Sequence, residues 1–252
     1  MNDVLQHVTI RSVGELELAL RNIPDEHCIF RGEDAAGYSL RPRVGRFASV
    51  EHTVEMEREM LEEFKSRARA LLATLPPSDW GWLALGHQHG LATRFLDWTT
   101  NPLMAAFWAV QEPHRGGDRV VYVLDRSSIP AGPASGASPF DPAMVTLYQP
   151  THADVPFPSP CGVLTAHPDP VAAYAVEGMK RWVLKAEALA AICVTVDGLG
   201  PEGEECCYAD LGFLCRKLNW DREVAVLADS APGVAGGRPR PPARRRRKRS
   251  PA

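Results

Sequence analysis

The sequence predicts an α+β fold. Helical patterns come first: an apolar stripe runs with helical spacing from Thr53 to Leu75, and an apolar helix follows Asn101. Strand-like runs cluster late, at 181–185, 191–196 and 223–228. Runs of helices followed by runs of strands favour α+β over a parallel βαβ array. The composition is that of a globular chain, with 45% hydrophobic and 23% charged residues in 252. No apolar run is long enough to span a bilayer, and the N-terminus MNDVLQHVTI lacks the basic-then-apolar signature of a signal peptide.

Each element has a local reason. Ser12 and Glu15 have capping-box spacing, and Leu16, Ala19, Leu20 and Ile23 follow at helical spacing until Pro24. CIFRG (28–32) reads as a short strand ending at glycine, and RPRVGRF (41–47) as basic and irregular. Val54, Leu61, Phe64, Ala68, Leu71 and Leu75 form one stripe of a long helix. Glu55 and Glu57 suit its N-terminal end, and Pro76 and Pro77 close it. Ser78 caps a helix through DWGWLALGHQH, with Gly90 as its left-handed terminator.

LATRFLDW (91–98) reads as a short strand or an irregular crossing. Asn101 caps a helix with Pro102 at its first position, and PLMAAFWAVQ is apolar nearly all round, so it should be buried. DRVVYVL gives a strand at 119–124. Residues 130–170 hold ten of the 22 prolines, which predicts loops, a short helix and little regular structure. AAYAVEGMK (172–180) looks helical, whereas RWVLK, AICVTV and EVAVLA look like strands. GLGPEGEE (198–205) lacks any phosphate-loop pattern and reads as a charged turn.

Charge is unevenly placed. Residues 233–252 carry eight Lys and Arg and no acid, leaving 20 basic against 31 acidic residues over 1–232. A single domain over 1–232 followed by a disordered arginine-rich tail over 233–252 is the expected organisation. The tail can hold a polyanion by releasing its counterions, with Arg244, Arg245, Arg246, Arg247, Lys248 and Arg249 as the contacts. The acidic body does not suit that role. The six cysteines show no CxxC pair and no zinc spacing, so reduced thiols in a cytoplasm and no metal are expected.

Polar residues concentrate in LGHQHGLATRFLDWTTNP (85–102). Arg31, at a strand end beside Gly32, can offer a fork of donors to a phosphate, or can pair with Glu33, Asp34 or Asp97. Gly32 would let a ligand approach the backbone. His87 and His89 point in different directions in a helix, so one bonds to backbone while the other can hold a ligand hydroxyl. Asp97 can pair with Arg94 or Arg31, and Thr99 or Asn101 can cap the following helix, whose N–H groups also suit an anion. Glu223, two residues after Asp221, shares a strand face with it or is an exposed strand-end acid.

Phe30-Arg31-Gly32, followed by His87-Gln88-His89-Gly90-Leu91, Thr93-Arg94, Leu96-Asp97-Trp98-Thr99 and Asn101-Pro102-Leu103, resembles the FRG-domain family. Ala92 and Phe95 replace that pattern's usual Pro and Leu. The match covers about residues 10 to 125. The FRG pattern in turn resembles the ADP-ribosyltransferase superfamily. That resemblance implies a split antiparallel β-sandwich with an N-terminal helical part, and an enzyme that takes ADP-ribose from NAD and releases nicotinamide. It implies Arg31 as the first-strand basic residue and Glu223 as the late-strand catalytic acid. Gly32, His89, Thr93, Arg94, Asp97, Trp98 and Thr99 would form the NAD wall, with Trp98 or Phe30 stacking on nicotinamide.

The tail argues for a nucleic acid acceptor, DNA first, with a protein acceptor as the sub-alternative. A role in toxicity or phage defence, with an inhibitor protein as partner, fits the resemblance only. A non-catalytic nucleotide- or partner-binding module and an NAD glycohydrolase are the competing expectations.

Overall fold

The computed structural model describes residues 5–23, 27–47, 53–111, 116–132, 137–152, 154, 162–199, 219 and 222–226. Seven strands form one mixed sheet: β1 (Gln6–Ile10), β2 (Cys28–Glu33), β3 (Phe95–Thr99), β4 (Arg119–Asp125), β5 (Thr146–Tyr148), β6 (Gly162–Ala166) and β7 (Lys180–Leu184). Their order across the sheet is β1-β7-β4-β2-β3-β6-β5. Only β1 and β7 pair in parallel; the other named pairs are antiparallel. Five named helices accompany the sheet: α1 (Val13–Arg21), α2 (Val54–Ala68), α3 (Asp79–Gln88), α4 (Pro102–Val110) and α5 (Leu189–Leu199).

The caps act where the sequence puts them. Ser12 accepts from the Glu15 N–H and Ser78 from the Gly81 N–H. Asn101 accepts from Leu103 and Met104 at 2.9 and 3.4 Å. Gly90 ends α3 with a φ of 89°, a conformation that glycine adopts at no steric cost.

Side chains alternate across a strand, and that period sorts the core. Cys28 and Phe30 of β2 point into a core shared with α1, α4 and α5. Phe95 of β3, with Leu164 and Ala166 of β6, packs against α2 and α3. Ile29, Leu96, Trp98 and Tyr122 face the other way and are covered by irregular chain through Leu40, Ile129 and Met179.

The pairing is uneven at one place. β2 runs in register with β4 over six residues, but meets β3 only at Phe30–Thr99. Beyond that point β2 and β3 splay, and the sheet opens between them. Gly32 lies at the opening, where α4 crosses β2 so closely that a Cβ would overlap the Ala105 carbonyl oxygen and lie 2.7 Å from the Ala109 nitrogen. The helix, rather than a ligand, accounts for this glycine.

Several expectations from sequence are corrected. The helix from Thr53 stops at Ala68 and tightens into one 3-10 turn over Arg69–Leu71, because Leu71 and Leu75 are exposed and have nothing to bury against. The strand expected at AICVTV is helix α5, whose Ile192, Cys193 and Val196 face the core. The helix expected at AAYAVEGMK is irregular chain turned by Gly178 at φ 82°. The strand expected from Glu223 is helical over 222–226. Residues 130–170 contribute β5 and β6 to the sheet, with no helix among the described residues there. β1, which no sequence pattern suggested, forms an exposed edge. Among the described residues no helix is long and apolar enough to cross a membrane.

Candidate functional site

The splay between β2 and β3 is the mouth of a cleft of about 810 Å³. Pockets of roughly 300–1,000 Å³ suit small molecules and cofactors. Its walls are β2, β3, the end of α3, one side of α4 from Met104 to its cap Gln111, and the basic segment 41–47. Arg31, Arg41, Arg43 and Arg46 bring cations to it, and Glu33, Asp34 and Asp97 bring acids.

Arg31 lies on the sheet face of its β4 partner Tyr122. Its Nε donates to Glu33 Oε1 at 2.9 Å, its Nη2 lies 2.8 Å from the same oxygen, and its Nη1 donates to the Asp97 carbonyl at 2.8 Å. The guanidinium therefore bridges the splay. Burial works against its charge, but Glu33 and then Asp97 prevail and raise its pKa. Glu33 and Asp97 between them engage all three of its nitrogens.

Asp97 is the floor of the site. Its Oδ1 lies 2.8 Å from His87 Nε2, and its Oδ2 lies 3.5 Å from Arg31 Nη1. Desolvation in the cleft would raise its carboxyl, but His87 and then Arg31 outweigh that and hold it well below the usual carboxylate range. His87 is in turn fixed by Thr93, whose Oγ1 lies 2.7 Å from Nδ1. That hydroxyl also accepts from the Phe95 N–H at 3.2 Å. The Asp97 carboxylate can only accept, so His87 Nε2 donates to it. Asp97 is thus an ionised carboxylate held in one orientation, with its side chain 46% exposed.

Arg94 proves to be a brace rather than a wall of the cleft. It is fully buried, and its Nε and Nη2 meet Glu57 at 3.0 and 2.7 Å. Its Nη1 donates to the carbonyls of Phe140 and His167 at 3.2 and 3.4 Å. The Arg94–Asp97 pairing considered from sequence does not occur, because Glu57 of α2 takes the whole fork. Thr93 is also fully buried and acts only through His87. His89 caps α3 on the exposed side and does not line the cleft; the site histidine is His87.

Trp98 and Thr99 line the cleft. Trp98, however, is nearly fully buried and donates Nε1–H to Thr165 at 2.9 Å, so it is structural wall rather than a free stacking surface. Thr165 Oγ1 continues to His167 Nε2 at 2.8 Å. Burial above all, then Arg31 and Arg94, push the His167 pKa down to about 4.

Glu223 stands apart. Its neighbour Val224 belongs to the core under α4 and α5, on the sheet face opposite Arg31. Burial first, then Asp197 and Glu223, push the Cys193 thiol of α5 up to about 12. Glu223 does not line the cleft, so the structure does not bring it together with Arg31. Asp221 and Arg244–Arg249 lie outside the described residues. Among the described residues no three His, Cys, Asp or Glu side chains are grouped to hold a metal.

Sequence reading missed Arg41, Arg43, Arg46 and Glu33 as cleft residues. The signal was RPRVGRF itself, three arginines in seven residues of a body that is otherwise acidic.

Residues 26–117 match the FRG domain. All the cleft residues described above lie inside that span; among the lining residues only Gly162, from β6, lies outside it. The matched span holds β2, α2, α3, β3 and α4, whereas β4 to β7 and α5 follow it. No curated protein and no solved structure matches the chain.

Proposed function

We propose that the cleft holds NAD and that the protein transfers its ADP-ribose to a macromolecule, releasing nicotinamide. The observation that carries this reading is the polarity of the cleft: guanidinium groups on one side and a fixed carboxylate on the facing strand. A dinucleotide has the matching polarity. Its diphosphate is anionic, and its nicotinamide ribose gains positive charge as the glycosidic bond breaks.

The inner cations suit the diphosphate. Arg31 brings its charge to the cleft wall, and Arg41 Nε is buried without a partner among the described residues. An unmet buried donor costs about 1–3 kcal/mol, which an anionic ligand would recover. Asp97 suits the reacting ribose. A carboxylate that stays ionised stabilises developing positive charge more than it stabilises the ground state. The leaving nicotinamide is neutral, so no strong acid is required. The carboxylate assigned here is Asp97, whose side chain is 46% exposed to the cleft against 11% for Glu33.

The test is incubation of the full chain with NAD and mixed DNA, RNA and protein. The expected result is nicotinamide release with a mass gain of one ADP-ribose on an acceptor. Asp97→Asn should lower release by about 100-fold, the effect of losing one positioned electrostatic group. Release without any modified macromolecule would make the protein a glycohydrolase. A second reading has its own support: Glu33 already occupies one edge of Arg31, as it would in a nucleotide-binding module that performs no chemistry. ADP-ribose binding with no release for any acceptor would establish that module instead.

A further inference from the structure

We infer that Arg43, Arg46 and Phe47 form a docking site for single-stranded nucleic acid at the outer rim of the cleft. This rests on the donor reading above only for its role as an acceptor site; strand binding itself is measured without NAD.

Burial grades the basic wall. The Arg31 side chain is 16% exposed and lies inside, whereas the Arg46 side chain is 36% exposed and Phe47 is 41% exposed at the rim. Arg43 is exposed as well. The outer arginines are oriented mainly by carbonyl oxygens. Arg43 Nη1 donates to the Gly90 carbonyl at 3.0 Å, and Arg46 Nε donates to the Arg41 carbonyl at 2.7 Å. A carbonyl fixes a guanidinium without neutralising it. Among the described residues, the carboxylate within ion-pair reach of Arg46 is Glu33, at 3.6 Å, and Glu33 is shared with Arg31 at 2.8 Å.

The segment that carries them is itself held. Val44 is buried and its N–H donates to the Thr93 carbonyl at 3.3 Å. Gly45 packs so tightly on Pro170 that a Cβ would overlap the Pro170 carbonyl oxygen. The anchored turn therefore brings two charged forks and an aromatic ring to the edge of one cleft. Single strands are held by this combination, with phosphates on cations and bases stacked on aromatic faces. An acidic polypeptide would use the forks but has no need of the ring. The body around this rim is acidic, 31 acids against 20 bases over 1–232, so repulsion elsewhere would confine a polyanion to it.

The experiment is fluorescence anisotropy of the full chain with a labelled single-stranded DNA of about twelve nucleotides, within the usual site-size range. Salt is varied, and binding of ADP-ribose and of polyglutamate is measured in parallel. R43Q/R46Q should weaken strand binding about tenfold and reduce the salt slope by about 1.4, the share of two phosphate contacts. Phe47→Leu should weaken it about tenfold without changing the slope, as for one lost stacked base. A control, R246Q/R247Q in the tail, should lower the slope yet keep the Phe47 dependence. ADP-ribose affinity should stay within about twofold in all three variants, against the tenfold strand effect.

Strand binding unchanged in both rim variants would overturn the inference. Parallel loss of ADP-ribose binding would do so too, by assigning these residues to the donor. An equal loss of polyglutamate binding would point to an acidic protein instead. Absence of nicotinamide release from the wild type, with the strand pattern intact, would remove the donor reading and leave the docking site supported.

Discussion

Two arginines that the sequence offers as ligand-facing residues stand in opposite circumstances. Arg31 sits where β2 and β3 part, bridging the gap on the wall of the cleft. Arg94 sits three residues before Asp97, fully buried, with its fork closed on Glu57 and two carbonyls. One region is an open cleft whose charges face solvent; the other is a dry knot tying α2 to β3. The difference teaches that an arginine beside a candidate site serves a ligand only when the sheet fails to close over it.

The comparison breaks first at the knot. Arg94→Met leaves the Glu57 carboxylate buried without its partner, and should cost about 3–5 kcal/mol in chemical denaturation. Replacing both, as in R94M/E57L, should cost much less, because no charge is then stranded. A single variant that unfolds like the wild type would return Arg94 to the list of ligand-facing residues.

The next effect is read in pH. His167 is buried between the two regions with a pKa near 4, below its ordinary value of 6.5. The unfolded chain takes the proton first, so stability rises with pH across that window and is lost as pH falls through it. The loss from pH 7 to 4 should be roughly 3 kcal/mol, and His167→Gln should lack it. Asp97 acts in a lower window: its depressed pKa gives stability that is lost only as pH drops below the ordinary carboxylate range.

Smaller is Gly32→Ala, which forces α4 away from β2 and should cost about 1–3 kcal/mol. Calorimetry reads it, and a neutral result would mean that α4 can shift without harm. Smallest is Glu223→Gln. On the far side of the sheet from Arg31, it should leave nicotinamide release unchanged, and a hundredfold fall would restore Glu223 as the acid.

Much of this fold was legible because its signals are local. Ser12, Ser78, Asn101 and Gly90 each mark a helix end through atoms within three residues, and each does so in the structure. What depends on distant partners was not legible. β1 exists because 180–184 lies beside it, and β6 because β3 does, whatever the prolines around it suggest. AICVTV carries β-branched residues yet forms α5, since a short apolar run suits a buried helix as well as a strand. The site followed the same rule. The pairing of Arg31 with Glu33 and Asp97 was among the options that sequence offered. The choice of His87 over His89 had a readable signal, because His87 continues the Trp80–Leu83 stripe toward the core while His89 falls at the cap before Gly90. Glu223 had none, because a carboxylate before an apolar run does not state which sheet face the run will cover.

The account stands on the cleft at the β2–β3 splay being the nucleotide site. Hydrogen exchange of the full chain with and without saturating ADP-ribose tests it most directly. Slower exchange is expected over 28–33 and 95–99, with no change at 222–226. Protection at 222–226 while the splayed strands exchange as before would contradict it.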